Sequence, residues 1–488
     1  MSLLFTGLGY RRWAPAAFLL LLFLPQSAWA VWKVEENYWP GRVTLEEQTP
    51  EGLRQRDQFL GPFIESYSGP EKDWTAVRPF GIRYQENAPL NPRSFYFLYP
   101  LYSYRAIDPG HYWNIFYLIR GSSYETNGEM DSRTFEVFPF YYDYDYPHTP
   151  EFSYWGFLPF YGEVKDRFFF EKIRWVLFPF YTEWHNNGET SYGTPWPFIF
   201  HRTGGGSSGF AFWPFFGTYE RPGHYRYRYL LWPLIYHQVK DLDRETPSVN
   251  YGFLPFYTYE KTENLVQENF LWPFFGYTDQ ENPEYHETRY FWPFLVQGRG
   301  DPYVNRWGPF YTRSIRNGVD KQWWMWPLLK RRAWETEQLQ VTNWNFLYFL
   351  YWAEFQRARD PNVDFRASKT FAWPFFSYGD NGAGRQQFQL FTPLLPWFKH
   401  NEVVRDVYSP LFALYRYDGN DQADTWRHSL LFNLLTLEKK EQGHRFTLGP
   451  ILDVRTGEPE AGFSLLSGLF GRMKEDDETN WKLFWFTL

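Results

Sequence analysis

The residues with chemistry to offer are thinly spread. Gly204-Gly205-Gly206-Ser207-Ser208-Gly209 fits G-x-G-x-x-G. A dinucleotide fingerprint needs a helix directly behind it, so that the helix N-terminus meets the phosphates. Phe210-Ala211-Phe212-Trp213-Pro214 follows instead, and this is a strand-like tract, so the glycines read as a loop. Asp418-Gly419-Asn420-Asp421-Gln422-Ala423-Asp424 has the carboxylate density of a calcium loop. It lacks the glycine at the sixth place and the glutamate at the twelfth, and it reads as an acidic hairpin turn. The ten His residues are scattered, no two at i, i+4. The absence of Cys excludes disulfides, thiol catalysis, Cys-type zinc sites and iron–sulfur clusters. No nucleophile stands beside a base in any recognisable pattern. The sequence therefore assigns no catalytic, cofactor-binding or metal-ligating residue, and an enzyme is not expected. A net charge of −7 with acids and bases mixed gives no reason to expect nucleic acid.

What the chain has in abundance is aromatic residues: 51 Phe, 38 Tyr and 26 Trp, or 24 % of 488 residues, beside 36 Pro and 36 Gly. They recur in register. The motif is a large apolar residue, then Pro, then Phe or Leu, as in Phe138-Pro139-Phe140, Trp213-Pro214-Phe215, Trp272-Pro273-Phe274 and Trp326-Pro327-Leu328. From Pro139 to Pro327 the steps range from 16 to 22 residues, which marks a tandem architecture. The tracts carry strand-forming residues. His224-Tyr225-Arg226-Tyr227-Arg228-Tyr229 alternates with period two, placing Tyr225, Tyr227 and Tyr229 on one face and Arg226 and Arg228 on the other. Between tracts lie turn sequences such as Arg316-Asn317-Gly318 and Gly379-Asp380-Asn381-Gly382. The fold class is all-β, an antiparallel meander of about 22 aromatic-rich strands with one unit every ~19 residues.

Residues 1–30 have the layout of a secretory signal peptide. Arg11 and Arg12 precede an apolar run from Trp13 to Leu24, and Ala28-Trp29-Ala30 supplies a cleavage site. Residues 31–75 are more polar and read as a tail or a plug, and residues 76–488 form the repetitive β domain. The chain finishes on Asn480–Leu488, where Phe484, Phe486 and Leu488 would share one face of a terminal strand.

Signal peptide, strand spacing and terminal strand together resemble the bacterial outer-membrane β-barrel proteins, at the level of architecture. The resemblance implies a closed barrel in outer-membrane lipid, inserted by the β-barrel assembly machinery through Phe484, Phe486 and Leu488. With apolar residues at the tract centres and Arg226 and Arg228 facing the lumen, such a barrel would be a channel or transporter for an amphipathic or apolar solute. Three features resist closure into a water-filled barrel. A Pro in every strand deletes a ladder donor, the tract centres are apolar on both faces, and the turns do not alternate short and long. The alternative puts each Pro at a joint and makes the chain an exported array of tandem β-hairpins, structural or adhesive rather than transporting.

Overall fold

The computed structural model describes residues 31–126, 128–396, 401–440, 442–457, 460–475 and 478–487. The expected signal peptide and Leu488 lie outside them. The described chain is all-β, with 46 strands, one short helix at Glu402–Tyr408 and three single 3-10 turns. Every described pairing is antiparallel and joins strands adjacent in the chain, as in Tyr225–Leu230 with Ile235–Lys240 and Leu265–Phe270 with Phe275–Gln280. No described pair joins distant strands to close the sheet into a barrel.

The strands are twice as many as expected because the Pro tracts are turns. Phe270 ends one strand and Phe275 begins the next, with Leu271-Trp272-Pro273-Phe274 between them. The Phe274 N–H bonds back to the Leu271 carbonyl at 3.0 Å. Each repeat thus holds two turn signals, Pro at one end and Gly, Asn or Asp at the other, with about six residues between them. The β propensity of Phe and Trp suggested strand centres, but the fixed φ and missing donor of Pro prevail. The opposite turns fall where the sequence places them. Asn317 and Gly318 join Tyr311–Arg316 to Val319–Trp324 with φ of 49° and 75°, the conformation of a two-residue hairpin turn.

The chain divides into two compact units, residues 94–334 and the combination of residues up to 93 with those from 335 onward. In the 94–334 unit the two sheet faces differ. One carries an unbroken apolar row beside the Pro turns: Phe212, Phe216, Leu230, Ile235, Phe253, Tyr257, Phe270 and Phe275 stand opposite one another on successive strands. The other face is packed by rings lying over cross-strand glycines. Trp175 pairs with Gly162, where a Cβ would meet its ring at 2.3 Å. Tyr142, Val164 and Trp175 form a buried cluster there.

In the other unit the apolar row recurs as Phe376, Leu390, Tyr415, Leu430, Leu435, Leu448 and Leu452. Residues 31–75 are not an extended tail. With the next few residues they make six strands, from Lys33–Tyr38 to Gly81–Glu86. These lie face to face on the strands from Arg385 to Gly457. Asn37 donates to the Asn433 carbonyl and to Thr447 Oγ1, both at 2.9 Å, and Asn433 donates to Gln58 Oε1 at 2.8 Å. The helix Glu402–Tyr408 buries Val404 and Val407, and its Tyr408 hydroxyl donates to the Pro79 carbonyl at 2.8 Å.

Candidate membrane rim and the faces above it

The strongest chemical asymmetry runs along the strands. In the 94–334 unit, thirteen turns stand at the Pro end, from Leu98–Leu101 to Met325–Leu328, and none contains Asp, Glu, Lys, Arg or His. Their apolar side chains point outward: Phe180 is 70 % exposed, Phe310 65 % and Trp326 57 %. The opposite end turns through Asn187-Gly188, Glu263-Asn264, Glu281–Glu284 and Asn317-Gly318, although Phe168-Phe169 is an aromatic turn there. An exposed apolar edge of this extent marks a surface built to be covered.

The rim is also finished as a backbone. Leu271 N–H bonds to the Phe256 carbonyl of the preceding turn at 2.7 Å, and Trp292 N–H to the Phe274 carbonyl at 2.7 Å. Trp213 to Phe198, Leu254 to Leu234 and Met325 to Phe310 repeat the pattern at 2.7–2.8 Å. Pro in the middle of the turn has no N–H to satisfy. Hydrocarbon cannot hydrogen-bond to exposed backbone, and these turns bond instead to one another.

Polar side chains begin one row above the apolar one. Above the apolar row, on the same face, stand Thr218, Arg228, His237, Tyr251, Tyr259 and Glu268. Above these come Glu220, Arg226, Val239, Val249, Lys261 and Val266. Turn plus first row amounts to roughly 10 Å of apolar height at ~3.3 Å per residue. Strands of six residues reach only ~20 Å, whereas a membrane-crossing strand needs ~9–11 residues.

The residues singled out from the sequence fall as follows. Arg226 and Arg228 share the face of the apolar row, and Arg226 pairs with Glu220 at 3.5 Å. The structure describes no enclosed lumen for them to face. The stretch expected as one terminal strand is a hairpin end: Glu478–Leu483 is a strand, Phe484 and Trp485 turn at φ of 48° and 65°, and Phe486–Thr487 pairs back on Leu483 and Lys482. Phe484 and Phe486 therefore do not form a strand face together. The glycine run 204–209 is a turn between Ile199–Thr203 and Ser208–Phe212, with no helix behind it. Among the described residues no cluster of three metal-ligating side chains occurs.

Sequence reading missed the charged interior of the other unit. Glu65 and Arg78 meet at 3.0 Å with side chains 1 % and 0 % exposed. Gln58 Nε2 and Trp74 Nε1 also donate to Glu65, at 2.9 and 3.3 Å. Burial works to raise the Glu65 pKa, but Arg78 and Arg56 outweigh it and hold the carboxyl at about 2. Arg56 sits among aromatic rings, its guanidinium carbon 4.7 Å from the Trp32 centroid and 5.4 Å from that of Trp74. Asp418, expected in a turn, is a buried strand residue. Burial opposes its charge, but Arg416 at 2.9 Å and Arg427 at 3.1 Å hold it well below the carboxylate range. Glu438 accepts from the Val34 N–H at 2.8 Å, and burial raises its pKa more than Arg427 and Arg445 lower it. Burial likewise raises Glu47, against Arg385 and Arg54. The signal lay in Glu47, Arg54, Arg56 and Glu65 at alternating strand positions, where a polar composition suggested solvent.

No protein-family model and no curated protein matches the chain.

Proposed function

We propose that this is an envelope protein that docks edgewise on a membrane, its row of Pro turns entering a single lipid leaflet. The observation that carries this reading is the charge-free rim whose backbone groups bond turn to turn. Trp, Phe and Leu fill it, and Trp and Tyr belong to the membrane interface, where one end of the ring is apolar and the other wet. The apolar height of roughly 10 Å matches interfacial insertion rather than crossing. Arg228, His237 and Tyr251 then stand at headgroup level, with the Arg228 guanidinium reaching toward water. Each large apolar side chain moved fully out of water is worth about 1.5–3 kcal/mol, so thirteen turns acting together would hold the protein firmly. The partner is bacterial outer-membrane lipid, reached by export through residues 1–30, and the role is that of a scaffold on the leaflet surface.

A channel for an amphipathic or apolar solute is the second reading. It is favoured by the polar row Gln238, Asn250, Glu260, Gln267 and Thr278 on the face away from the apolar row. That row would line a lumen if the sheet closed. Fractionation and planar-bilayer recording separate the readings. Membrane-bound protein released by detergent but not by carbonate, with no conductance, supports docking. Steady conductance supports the channel, and recovery in the soluble periplasmic fraction removes both.

A further inference from the structure

The polar face of the 94–334 unit carries a cleft of about 830 Å³ lined by Trp184, Ser191, Arg202, Tyr219, Tyr227 and Gln238 among others. These six occupy one register row: Trp184 opposes Ser191, Ser191 opposes Arg202, Gly209 separates Arg202 from Tyr219, and Tyr219, Tyr227 and Gln238 follow. We infer that this row is a binding track for a neutral linear oligosaccharide lying across the strands. Six inter-strand steps of ~4.8 Å give a track of roughly 29 Å, room for several sugar rings end to end.

The aromatic part is pre-ordered. The rings of Tyr219 and Tyr227 lie 6.4 Å apart and within 7° of parallel. Tyr219 leans over Gly209, where a Cβ would meet its Cδ1 at 2.4 Å. The Arg202 guanidinium carbon sits 4.6 Å from the Tyr219 centroid. Such rings present a flat apolar surface with a polar rim, the counterpart of a pyranose ring with C–H faces and hydroxyl edges. The polar part suits hydroxyls. Gln238 offers donors and an acceptor together, and Ser191 offers a hydroxyl. A carboxylate, Glu189, stands beside the arginines at this end of the track, which weighs against an anionic ligand. Arg202 Nε donates to Ser191 Oγ at 3.0 Å and its Nη1 to the Tyr225 hydroxyl at 3.1 Å. The Tyr225 hydroxyl donates to Glu189 at 2.8 Å, and Glu189 pairs with Arg202 at 3.5 Å and Arg221 at 3.7 Å. A phosphate or carboxylate reaching Arg202 would meet the Glu189 carboxylate as well. The row continues past Gln238 into Asn250, Glu260 and Gln267, more hydroxyl-binding side chains in line.

The test is calorimetric titration of the full chain in detergent micelles with cellohexaose, maltohexaose and chitohexaose, each against its disaccharide. The inference predicts saturable binding of at least one hexasaccharide, roughly tenfold tighter than its disaccharide, and a roughly tenfold loss in the double variant Tyr219→Ala, Tyr227→Ala. If that variant misfolds by circular dichroism, Gln238→Ala with a smaller loss serves in its place. No saturation with any of the three, equal affinity for hexa- and disaccharide, or unchanged binding in the folded variant would overturn it.

Discussion

The two units share one strand grammar and differ in what they do with the face opposite the apolar row. In the unit containing the chain ends, six N-terminal strands cover that face, and charges that would be harmless in water become buried. In the 94–334 unit the corresponding rows hold Tyr219, Tyr227, Gln238 and Asn250, all half-exposed. Apolar Pro turns occur in both, as Leu-Trp-Pro-Phe at 271–274 and Trp-Pro-Phe at 373–375, but the unit containing the chain ends also has Arg78-Pro79-Phe80, whose arginine is buried against Glu65. The face opposite the apolar row is core in one unit and half-exposed in the other.

The comparison breaks hardest at Glu65. Replacing it with Gln leaves Arg78 buried without a counter-ion, and losing one partner of such a pair costs about 3–5 kcal/mol. Denaturant unfolding should show that loss in the unit containing the chain ends. In the 94–334 unit, Glu220→Gln, facing Arg226 across an exposed pair, should cost ~0–1 kcal/mol.

The second test is acid. Glu65 has a folded pKa of about 2, below the ordinary 4.5. Its contribution is fully present above pH 4.5 and is lost as pH falls toward 2, and Asp418 acts in the same direction. By linkage the Glu65 share is on the order of 3 kcal/mol. Glu47 and Glu438 are raised and act in reverse: their neutral forms suit the fold, and their contribution fades as pH rises through their folded pKa values. Thermal melts between pH 6 and 3 should show net destabilisation, and Glu65→Gln should flatten the slope. An unchanged slope in that variant would assign the acid sensitivity elsewhere.

The third concerns the rim. Phe256→Asp places a charge in the docking edge, where a charged group near the membrane interface costs up to ~1 kcal/mol and a deeper one more. Flotation with liposomes should fall severalfold for Phe256→Asp combined with Phe274→Asp. Asn264→Asp at the opposite end should float as the unmodified chain does. A purely local effect is expected at Gly318, whose φ of 75° favours glycine. Gly318→Ala should lower stability by about 1–2 kcal/mol, with flotation unchanged.

The all-β meander, the hairpin turns at Asn317-Gly318 and Gly379–Gly382, and the loop nature of 204–209 were legible because Gly, Asn and Asp act locally. The Pro tracts were harder. Phe and Trp favour strands, Pro forbids a ladder donor, and only the pairing register shows that a tight turn satisfies both. Once the Pro marks a turn, strand number doubles and strand length halves, which is why the expected membrane-crossing strands became six-residue ones. The buried charges were illegible because burial there depends on strands far apart in sequence, 396 residues in the case of Asn37 and Asn433. The aromatic–glycine pairs and the Trp184–Gln238 row depend on cross-strand register in the same way.

Depth is the most direct measurement of rim docking. The chain has no Cys, so single nitroxide labels can be placed at Phe256→Cys in the rim, Tyr259→Cys above it and Glu263→Cys at the far end. By power-saturation electron paramagnetic resonance in liposomes, the label at 256 should be reached by oxygen and shielded from a polar nickel complex. The label at 259 should be intermediate and that at 263 freely accessible to nickel. Deep burial at 259 with emergence at 263 on the far side of the bilayer would mean that the strands cross. Nickel access at all three would mean that the rim never enters lipid.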